Sequence, residues 1–224
     1  MRVPELAVPT VAIAGTALRF PVRRIFCVGQ NYAEHTREMG GDPTRQAPFF
    51  FTKPADAVVA TGAVLPFPTE TADLHHEVEL VIALASGGSN IAVAEAARHI
   101  FGHAVGIDLT RRDLQAVAKA AGRPWDMAKG FDNSAPVGSI TLGVPPAAAA
   151  ITLSVDGETR QSGNIDQMIW DVAEIIAALS RLVALAPGDL IFTGTPAGVG
   201  PILRGQAVVG RMDGVAPIEI RFQG

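Results

Sequence analysis

Short stretches rich in valine, isoleucine and leucine, most of them bounded by glycine, proline, asparagine or aspartate, recur along the chain. Such stretches predict β-strands, because branched aliphatic side chains fit a pleated sheet and the bounding residues favour turns. Asp156-Gly157 and Asp213-Gly214 are typical of hairpin turns between them. The predicted strands cover residues 24–28, 57–60, 77–84, 103–109, 151–155, 158–162, 190–194, 206–210 and 216–222. Many strands and few helices, without one-for-one alternation, predict an α+β fold that is mostly β rather than a doubly wound parallel sheet.

Three segments have the spacing of helices instead. Residues 166–184 carry apolar side chains at intervals of three and four, which predicts an amphipathic helix. A second helix is predicted to begin after Thr110, with Asp113 as its capping-box partner, and to end near Gly122. A third, shorter helix is predicted over about residues 32–39.

Composition limits the classes of function. A chain of 224 residues can bury a large core and fits one domain, 1–224, better than two. A net charge of -4 gives no electrostatic reason to expect nucleic acid as a partner, and no apolar run approaches the ~18 residues that a membrane span needs. Cys27 is the only cysteine, which excludes an intrachain disulfide and suits a reducing compartment. We therefore expect a soluble, cytoplasmic protein.

One predicted strand, residues 77–84, contains two acidic residues, Glu77 and Glu79. Alternate residues of a strand share a face, so both carboxylates point the same way. That face continues as Val81 and Ala83 and the other face is also apolar, so both faces are expected to be buried. Buried carboxylates are costly unless a positive charge compensates them, and a divalent cation is a natural candidate. The alternative is a strand whose acidic end faces water.

A third carboxylate, Asp108, ends the predicted strand 103–109. Sites are commonly built at strand ends, although a helix-capping role is an equal alternative. Arg112 and Gln115 follow three residues apart, on one face of the next helix. Three carboxylates without cysteine or paired histidine at zinc spacing favour Mg²⁺ or Mn²⁺ over zinc.

His35 and Glu38 lie three residues apart on the short predicted helix. There the carboxylate can orient and polarise the imidazole, which makes the pair a candidate general base for water. The alternative interpretation is an ordinary polar helix face.

Two further features are ambiguous when they are taken alone. Lys129 lies between small and apolar residues, either as a functional cation or as a loop lysine that reaches solvent. Residues 193–200 are rich in glycine and follow a strand, so their N–H groups either bind an anion or form an ordinary turn. The segment lacks the lysine of a phosphate-binding P-loop.

Taken in order, these motifs resemble the fumarylacetoacetate hydrolase family. The resemblance runs from about Arg24 to the C-terminus and leaves residues 1–23 as a short N-terminal extension. The matching motifs are His35-x-x-Glu38, Glu77-x-Glu79, Asp108-x-x-x-Arg112-Asp113-x-Gln115, Lys129 and Gly194-Thr195-Pro196-x-Gly198-Val199-Gly200.

The resemblance implies a mixed β-roll or β-sandwich of the fumarylacetoacetase C-terminal-domain type, a homodimer, and hydrolysis of a carbon–carbon bond in a small acylpyruvate-type 2,4-diketo acid. It also implies a lid over residues 31–41 that orders over substrate. The residue roles that it implies are Mg²⁺ or Mn²⁺ binding by Glu77, Glu79 and Asp108, catalysis by His35, Glu38 and Lys129, and substrate binding by Arg112, Gln115 and Thr195.

The sequence gives conflicting indications about the identity of the acyl half of the substrate. Residues 20–25 and 48–56 are most similar to family members that hydrolyse fumarylpyruvate in aromatic-compound catabolism. Gln30 opposes this, because relatives commonly carry an arginine there that could bind the distal carboxylate. Arg23, Arg24 and Arg37 are alternative partners for that carboxylate.

Two other functions are compatible with the same motifs. The same metal and enolate chemistry, without attack by water, would decarboxylate oxaloacetate or interconvert a keto acid with its enol. The alternative of another class is a small β-rich binding module without catalysis.

Overall fold

The computed structural model describes residues 3–38 and 46–224. Within them the chain forms eighteen strands. In chain order these are β1 (Thr10–Ala12), β2 (Arg19–Pro21), β3 (Arg24–Gly29), β4 (Phe49–Lys53), β5 (Val58–Val59), β6 (Ala63–Leu65), β7 (Leu74–His76), β8 (Val78–Leu84), β9 (Ile100–Ile107), β10 (Thr110–Arg111), β11 (Ala135–Pro136), β12 (Thr141–Leu142), β13 (Ala150–Val155), β14 (Glu158–Asn164), β15 (Asp189–Phe192), β16 (Gly200–Ile202), β17 (Ala207–Met212) and β18 (Ile218–Phe222).

Few helices accompany these strands. The α-helices are α1 (Ala33–Glu38), α2 (Arg112–Ala120), α3 (Asp126–Lys129) and α4 (Val172–Leu182), and the 3₁₀ segments are Ala55–Ala57, Val93–His99 and Ile165–Gln167. Across the described ranges, none of the helices has the length and apolar character needed to cross a membrane.

Two mixed sheets make up most of the fold. The larger has the order β12-β9-β8-β15-β3-β4, in which only β15 and β3 run parallel. The second has the order β14-β13-β17-β18-β6, with β18 and β6 parallel. A small sheet, β10-β7-β16, brings the start of α2 next to the entrance of β8. The expectation of a mostly β fold with mixed sheets is confirmed.

Strand β8 lies between two hydrophobic clusters. Leu80 and Ile82 pack in the larger cluster, together with the second sheet and α4, whereas Val81 and Ala83 pack in the smaller one. All seven residues of β8 are buried. The expectation that both faces of this strand are buried is therefore confirmed.

Each of the nine predicted strands corresponds to an observed strand, with ends that differ by a few residues. The structure adds β1, β2, β4, β6, β7, β10, β11, β12 and β16, which are two to five residues long. Strands this short rely on partners elsewhere in the chain rather than on a local pattern. The Asp156-Gly157 turn is also observed, and both residues have the positive φ that a tight hairpin requires.

Two helix predictions need correction. The predicted helix 166–184 begins only at Val172, because Asp171 caps it and Asn31 accepts the N–H of Trp170 on its side chain and that of Ile169 on its backbone. Asp113 does not form the predicted capping box, since its carboxylate accepts hydrogen bonds from the 71–72 segment.

A buried carboxylate, paired with two partly exposed arginines, joins the two parallel strands of the large sheet. The Asp189 carboxylate is fully buried at the start of β15 and lies 3.1 Å from an Arg23 nitrogen and 3.0 Å from an Arg24 nitrogen. It also accepts the N–H of Ala186 at 2.9 Å. Arg23 and Arg24, two of the three arginines considered for a second substrate carboxylate, are therefore structural, and that expectation is wrong for them.

Replacing Asp189 by alanine should destabilise the protein by about 2–4 kcal/mol, because two arginines and a backbone N–H lose their shared acceptor. Glu158→Ala is the matched control, since Glu158 pairs with Arg160 where both side chains are at least half exposed, and it should cost less than about 1 kcal/mol. Urea unfolding measures both variants. Equal destabilisation by the two substitutions would contradict the assignment.

Candidate active site

Three carboxylates meet where β8 begins and β9 ends. Glu77 and Glu79 share a face of the chain entering β8, and Glu79 pairs with Gly106 in the antiparallel ladder to β9. The N–H of Asp108 donates to the carbonyl of Glu77 at 2.8 Å, which places Asp108 beside the other two. All three side chains are buried, and one oxygen from each lies within 4.8 Å of the others.

The ammonium of Lys129 compensates part of this charge. Its Nζ, buried at the end of α3, donates to Glu77 Oε2 at 2.9 Å, to Asp108 Oδ2 at 2.7 Å and to Thr110 Oγ1 at 2.7 Å. The two carboxylates raise the pKa of Lys129 against the opposing effect of burial, so the side chain stays charged. The alternative of a loop lysine reaching solvent is wrong.

Arg112 and Lys53 complete the positive shell. Arg112, at the start of α2, donates to Glu77 Oε1 at 2.5 Å and to Gln115 Oε1 at 2.5 Å. Lys53 ends β4 fully buried, with its Nζ 2.8 Å from Asp108 Oδ1, and it also donates to the carbonyls of Leu109 and Lys129. Sequence reasoning gave Lys53 no role, although its charge in an otherwise apolar strand was a signal.

The pKa values of Glu77 and Glu79 shift in opposite directions because their partners differ. Burial alone would raise the pKa of Glu77, but Lys129 and Arg112 hold it well below its usual range. Burial raises the pKa of Glu79, as do the charges of Asp108 and Glu77, and its Oε2 accepts only the N–H of Gly194, at 2.7 Å, among the described residues. Glu79 is therefore the carboxylate that most requires a further positive charge.

The donor set fits a hard divalent ion. It offers three buried carboxylates, and one oxygen from each lies within 4.8 Å of the others. Divalent ions such as Mg²⁺ and Mn²⁺ take carboxylate oxygens of this kind. The alternative of an acidic strand end facing water is wrong, since Glu77 and Glu79 are both at least 95% buried.

The His35–Glu38 pair lies over this cluster. His35 on α1 is buried and lines the same pocket as Glu77 and Glu79. Its Nδ1 lies 3.3 Å from Glu38 Oε2, and Glu38 in turn accepts the N–H of Gly198 at 3.2 Å. Residues 39–41 of the predicted lid lie outside the described part of the chain.

The glycine-rich segment 193–200 binds anions, but they belong to the protein itself. Gly194 donates to Glu79 and Gly198 to Glu38, each from a positive φ. A Cβ on Gly194 would lie 2.7 Å from Asn31 Cβ, and one on Gly198 would lie 2.3 Å from the carbonyl oxygen of Arg160. Only glycine both adopts the positive φ readily and leaves room for these neighbouring atoms.

Thr195 is held in this segment by a buried network. Its hydroxyl donates to the carbonyl of Val78 at 2.8 Å and accepts from Gln161 Nε2 at 2.8 Å. Gln161, fully buried, also accepts from the N–H of Val78, and its contact with the ring of His76 is 3.0 Å. Thr195 therefore faces the pocket with its hydroxyl proton already engaged. Sequence reasoning missed Gln161, whose contacts are more than thirty residues away in the chain.

One open pocket collects most of the predicted residues. Glu38 and Asp108 stand behind it, bound to His35 and Lys129 respectively. Its wall adds Gln30, Phe51, Lys119 and Trp125, of which sequence reasoning considered only Gln30. The predicted residues that line it are His35, Glu77, Glu79, Arg112, Gln115, Lys129 and Thr195.

Comparison with known proteins agrees with this arrangement. A fumarylpyruvate hydrolase from Ralstonia sp is 43% identical over 181 residues, which cover 80% of this chain and 94% of that protein. The mitochondrial oxaloacetate tautomerase of Mus musculus is 39% identical over 204 residues, covering 90% and 91%.

Among solved structures, the fumarylpyruvate hydrolase from Pseudomonas aeruginosa in complex with Mn²⁺ and pyruvate superposes with a TM-score of 0.96 at 50% identity, covering 100% of this chain and 98% of that one. Residues 24–223 match the profile described as fumarylacetoacetate (FAA) hydrolase C-terminal. With the profile spanning nearly the whole chain, and the acidic triad, the His–Glu pair and the buried lysine gathered in one pocket, the protein belongs to the fumarylacetoacetate hydrolase family.

Proposed function

We propose that this enzyme is a divalent-metal-dependent hydrolase that cleaves the C3–C4 bond of an acylpyruvate, with fumarylpyruvate as its best substrate and fumarate and pyruvate as products. One observation carries the proposal: Glu77, Glu79 and His35 line one pocket, with Asp108 beside the two glutamates and Glu38 bound to His35 directly behind it. The Ralstonia and Pseudomonas aeruginosa relatives, both named fumarylpyruvate hydrolases, support the substrate.

The ligand set that we propose is Glu77, Glu79 and Asp108, with Mg²⁺ or Mn²⁺ as the ion. The Mn²⁺ of the Pseudomonas aeruginosa relative and the donor chemistry here both support it. The bound ion would supply Lewis acidity, which stabilises negative charge developing on the 2-keto oxygen of the substrate.

Proton transfer falls to His35. With Nδ1 directed to Glu38, the tautomer that donates there leaves Nε2 as the acceptor for a proton from water. The water oxygen bonds to C4, the C3–C4 bond breaks, and its electron pair leaves with the pyruvate half, which takes up a proton at C3. Glu38 stabilises the imidazolium, and its bond from Gly198 holds it in place.

Lys129 and Arg112 reduce the electrostatic repulsion between the anionic substrate and the carboxylates of the site. They bind Glu77 from opposite sides and so neutralise charge beside the place where the substrate carboxylate must enter. Gln115 holds Arg112 in place, because its Oε1 accepts a hydrogen bond from the second terminal nitrogen of the guanidinium. From family membership we also propose a cytoplasmic homodimer that acts in aromatic-compound catabolism.

The second candidate is an oxaloacetate tautomerase or decarboxylase. Relatives named as such, from Mus musculus and Dictyostelium discoideum, are each 39% identical and cover 90% and 83% of this chain. Both reactions use the same enolate without attack by water. The His35–Glu38 pair favours hydrolysis, because it provides the base that water requires.

Glu79→Gln tests the ligand set. Burial and its acidic neighbours raise the pKa of Glu79 in the folded protein, so ionising it costs stability. This cost is absent below the pKa of the unfolded chain, grows as the pH rises between the two pKa values, and is complete above the raised one. In chelator at about pH 8 we expect the variant to melt about 2–4 °C higher than wild type, the shift that 1 kcal/mol gives at this size. Added Mn²⁺ should stabilise wild type but not the variant. Glu34→Gln, exposed on α1, is the control, and an Mn²⁺ response retained in Glu79→Gln refutes the assignment.

His35→Ala tests the base. We expect kcat to fall by about 10²–10⁴-fold, the usual contribution of a general base, while Mn²⁺ binding measured by calorimetry stays near wild type. Glu34→Ala on the same helix should leave both unchanged. If the His35 variant hydrolyses acylpyruvates at the wild-type rate, the base lies elsewhere.

Side-by-side kinetics of pyruvate release test the substrate. Fumarylpyruvate should exceed acetylpyruvate in kcat/KM by at least about tenfold, a little over 1 kcal/mol of transition-state binding, and excess chelator should abolish both activities. Equal kcat/KM values on the two substrates would instead indicate a general acylpyruvase without preference for fumarylpyruvate. Faster turnover of oxaloacetate than of either acylpyruvate would favour the second candidate.

A further inference from the structure

The positively charged side chains that line the pocket follow one face of α2 and continue onto α3. Among the described residues they are Arg112, Lys119 and Lys129. Arg112, Gln115 and Lys119 are spaced i, i+3 and i+7, so they form a line along the helix. Arg112 and Gln115 lie at the carboxylate end, where both are largely buried, whereas Lys119 is exposed toward the mouth.

The spacing along α2 matches the length of a seven-carbon diketo diacid. Lys119 lies seven residues beyond Arg112, roughly 10 Å along the helix axis at 1.5 Å per residue. Six carbon–carbon bonds separate the two carboxylates of fumarylpyruvate, about 7–8 Å when the chain is extended. A lysine side chain is flexible enough to meet the far carboxylate while the near one binds at the acidic cluster.

The other cations considered for this role lie elsewhere. Arg23 and Arg24 bind Asp189, and Arg37 lines a separate pocket beside Tyr32. Gln30, which does line the main pocket, is uncharged. Arg112 and Lys129 both bind Glu77 at the opposite end from the mouth.

An aromatic wall lines the same pocket as Lys119. Trp125 and Phe51 both line the pocket, with ring centroids 6.1 Å apart, and Phe49 supports Trp125 edge-on at 5.1 Å. A flat, conjugated acyl chain packs well against such a wall, because it presents its planar face to the rings. Cation and wall together form a subsite for an unsaturated chain that ends in a carboxylate.

We propose that Lys119 is the specificity-determining residue of the acyl subsite, binding the second carboxylate of the substrate while Phe51 and Trp125 pack against its unsaturated chain. The proposal rests on the hydrolase function proposed above. One side chain would thus recognise the negative charge at the end of the acyl half. Because this side chain is exposed, its replacement does not disturb the core.

Lys119→Met tests it with two substrates, fumarylpyruvate and crotonylpyruvate, which has the same length and double bond but ends in a methyl group. The variant should lose about tenfold or more in kcat/KM on fumarylpyruvate, the usual effect of a hydrogen bond to a charged group, and less than about twofold on crotonylpyruvate. Lys119→Arg should keep the wild-type preference, and Arg37→Met, in the separate pocket, should change neither rate.

Ionic strength gives a second readout that a purely structural lysine would not affect. Raising salt from about 0.05 M to about 0.5 M should reduce the wild-type preference for fumarylpyruvate and leave that of Lys119→Met unchanged. Equal losses on both substrates, or a selective loss in Arg37→Met instead, overturn the assignment and leave the hydrolase function intact. If wild type hydrolyses neither substrate, the proposed function fails and this assignment fails with it.

Discussion

Lys129 Nζ lies between Glu77 and Asp108, and the burial of the acidic cluster depends on this contact. A carboxylate in a low-dielectric interior is strongly destabilised unless a cation or hydrogen-bond donors compensate it. Lys53 and Arg112 add two further cations from β4 and α2. These ion pairs therefore hold together elements that are distant in the chain, and none of the elements could bury its charge without the others. The pocket is the space between them.

The segment 193–200 couples this cluster to α1. Two of its glycines, four residues apart, donate their N–H groups to Glu79 in the acidic cluster and to Glu38 on α1. Asn31 anchors the start of α1 to the same segment by donating to the carbonyl of Thr193. Movement of this backbone would therefore shift the carboxylate of the cluster and the partner of His35 together, which explains why the motif combines glycines with a buried threonine.

Local patterns predicted the strands and the acidic cluster because they are periodic or contiguous. Glu77 and Glu79 share a face of one strand, and the β8–β9 ladder then brings Asp108 alongside. Contacts that depend on long-range packing were missed, such as Lys53 with Asp108, or were wrong, as for Arg23 and Arg24. The family resemblance named most of the pocket, but it did not include Lys119 or Trp125, because their relevance comes from the way α2 and α3 meet β4.

Charge and length are the two properties by which the proposed substrates of this pocket differ. The buried carboxylates Glu77, Glu79 and Asp108 are matched in number by the cations Lys53, Arg112 and Lys129. A dication would leave two positive charges in excess, and a substrate with two carboxylates balances them better than acetylpyruvate, which has one. Oxaloacetate also has two carboxylates, so charge alone does not separate the two candidate functions. Its carboxylates are only three bonds apart, about 4 Å, whereas the line from Arg112 to Lys119 extends over about two helical turns. Under our proposal that Lys119 binds the far carboxylate, this spacing fits the longer acylpyruvate better than oxaloacetate.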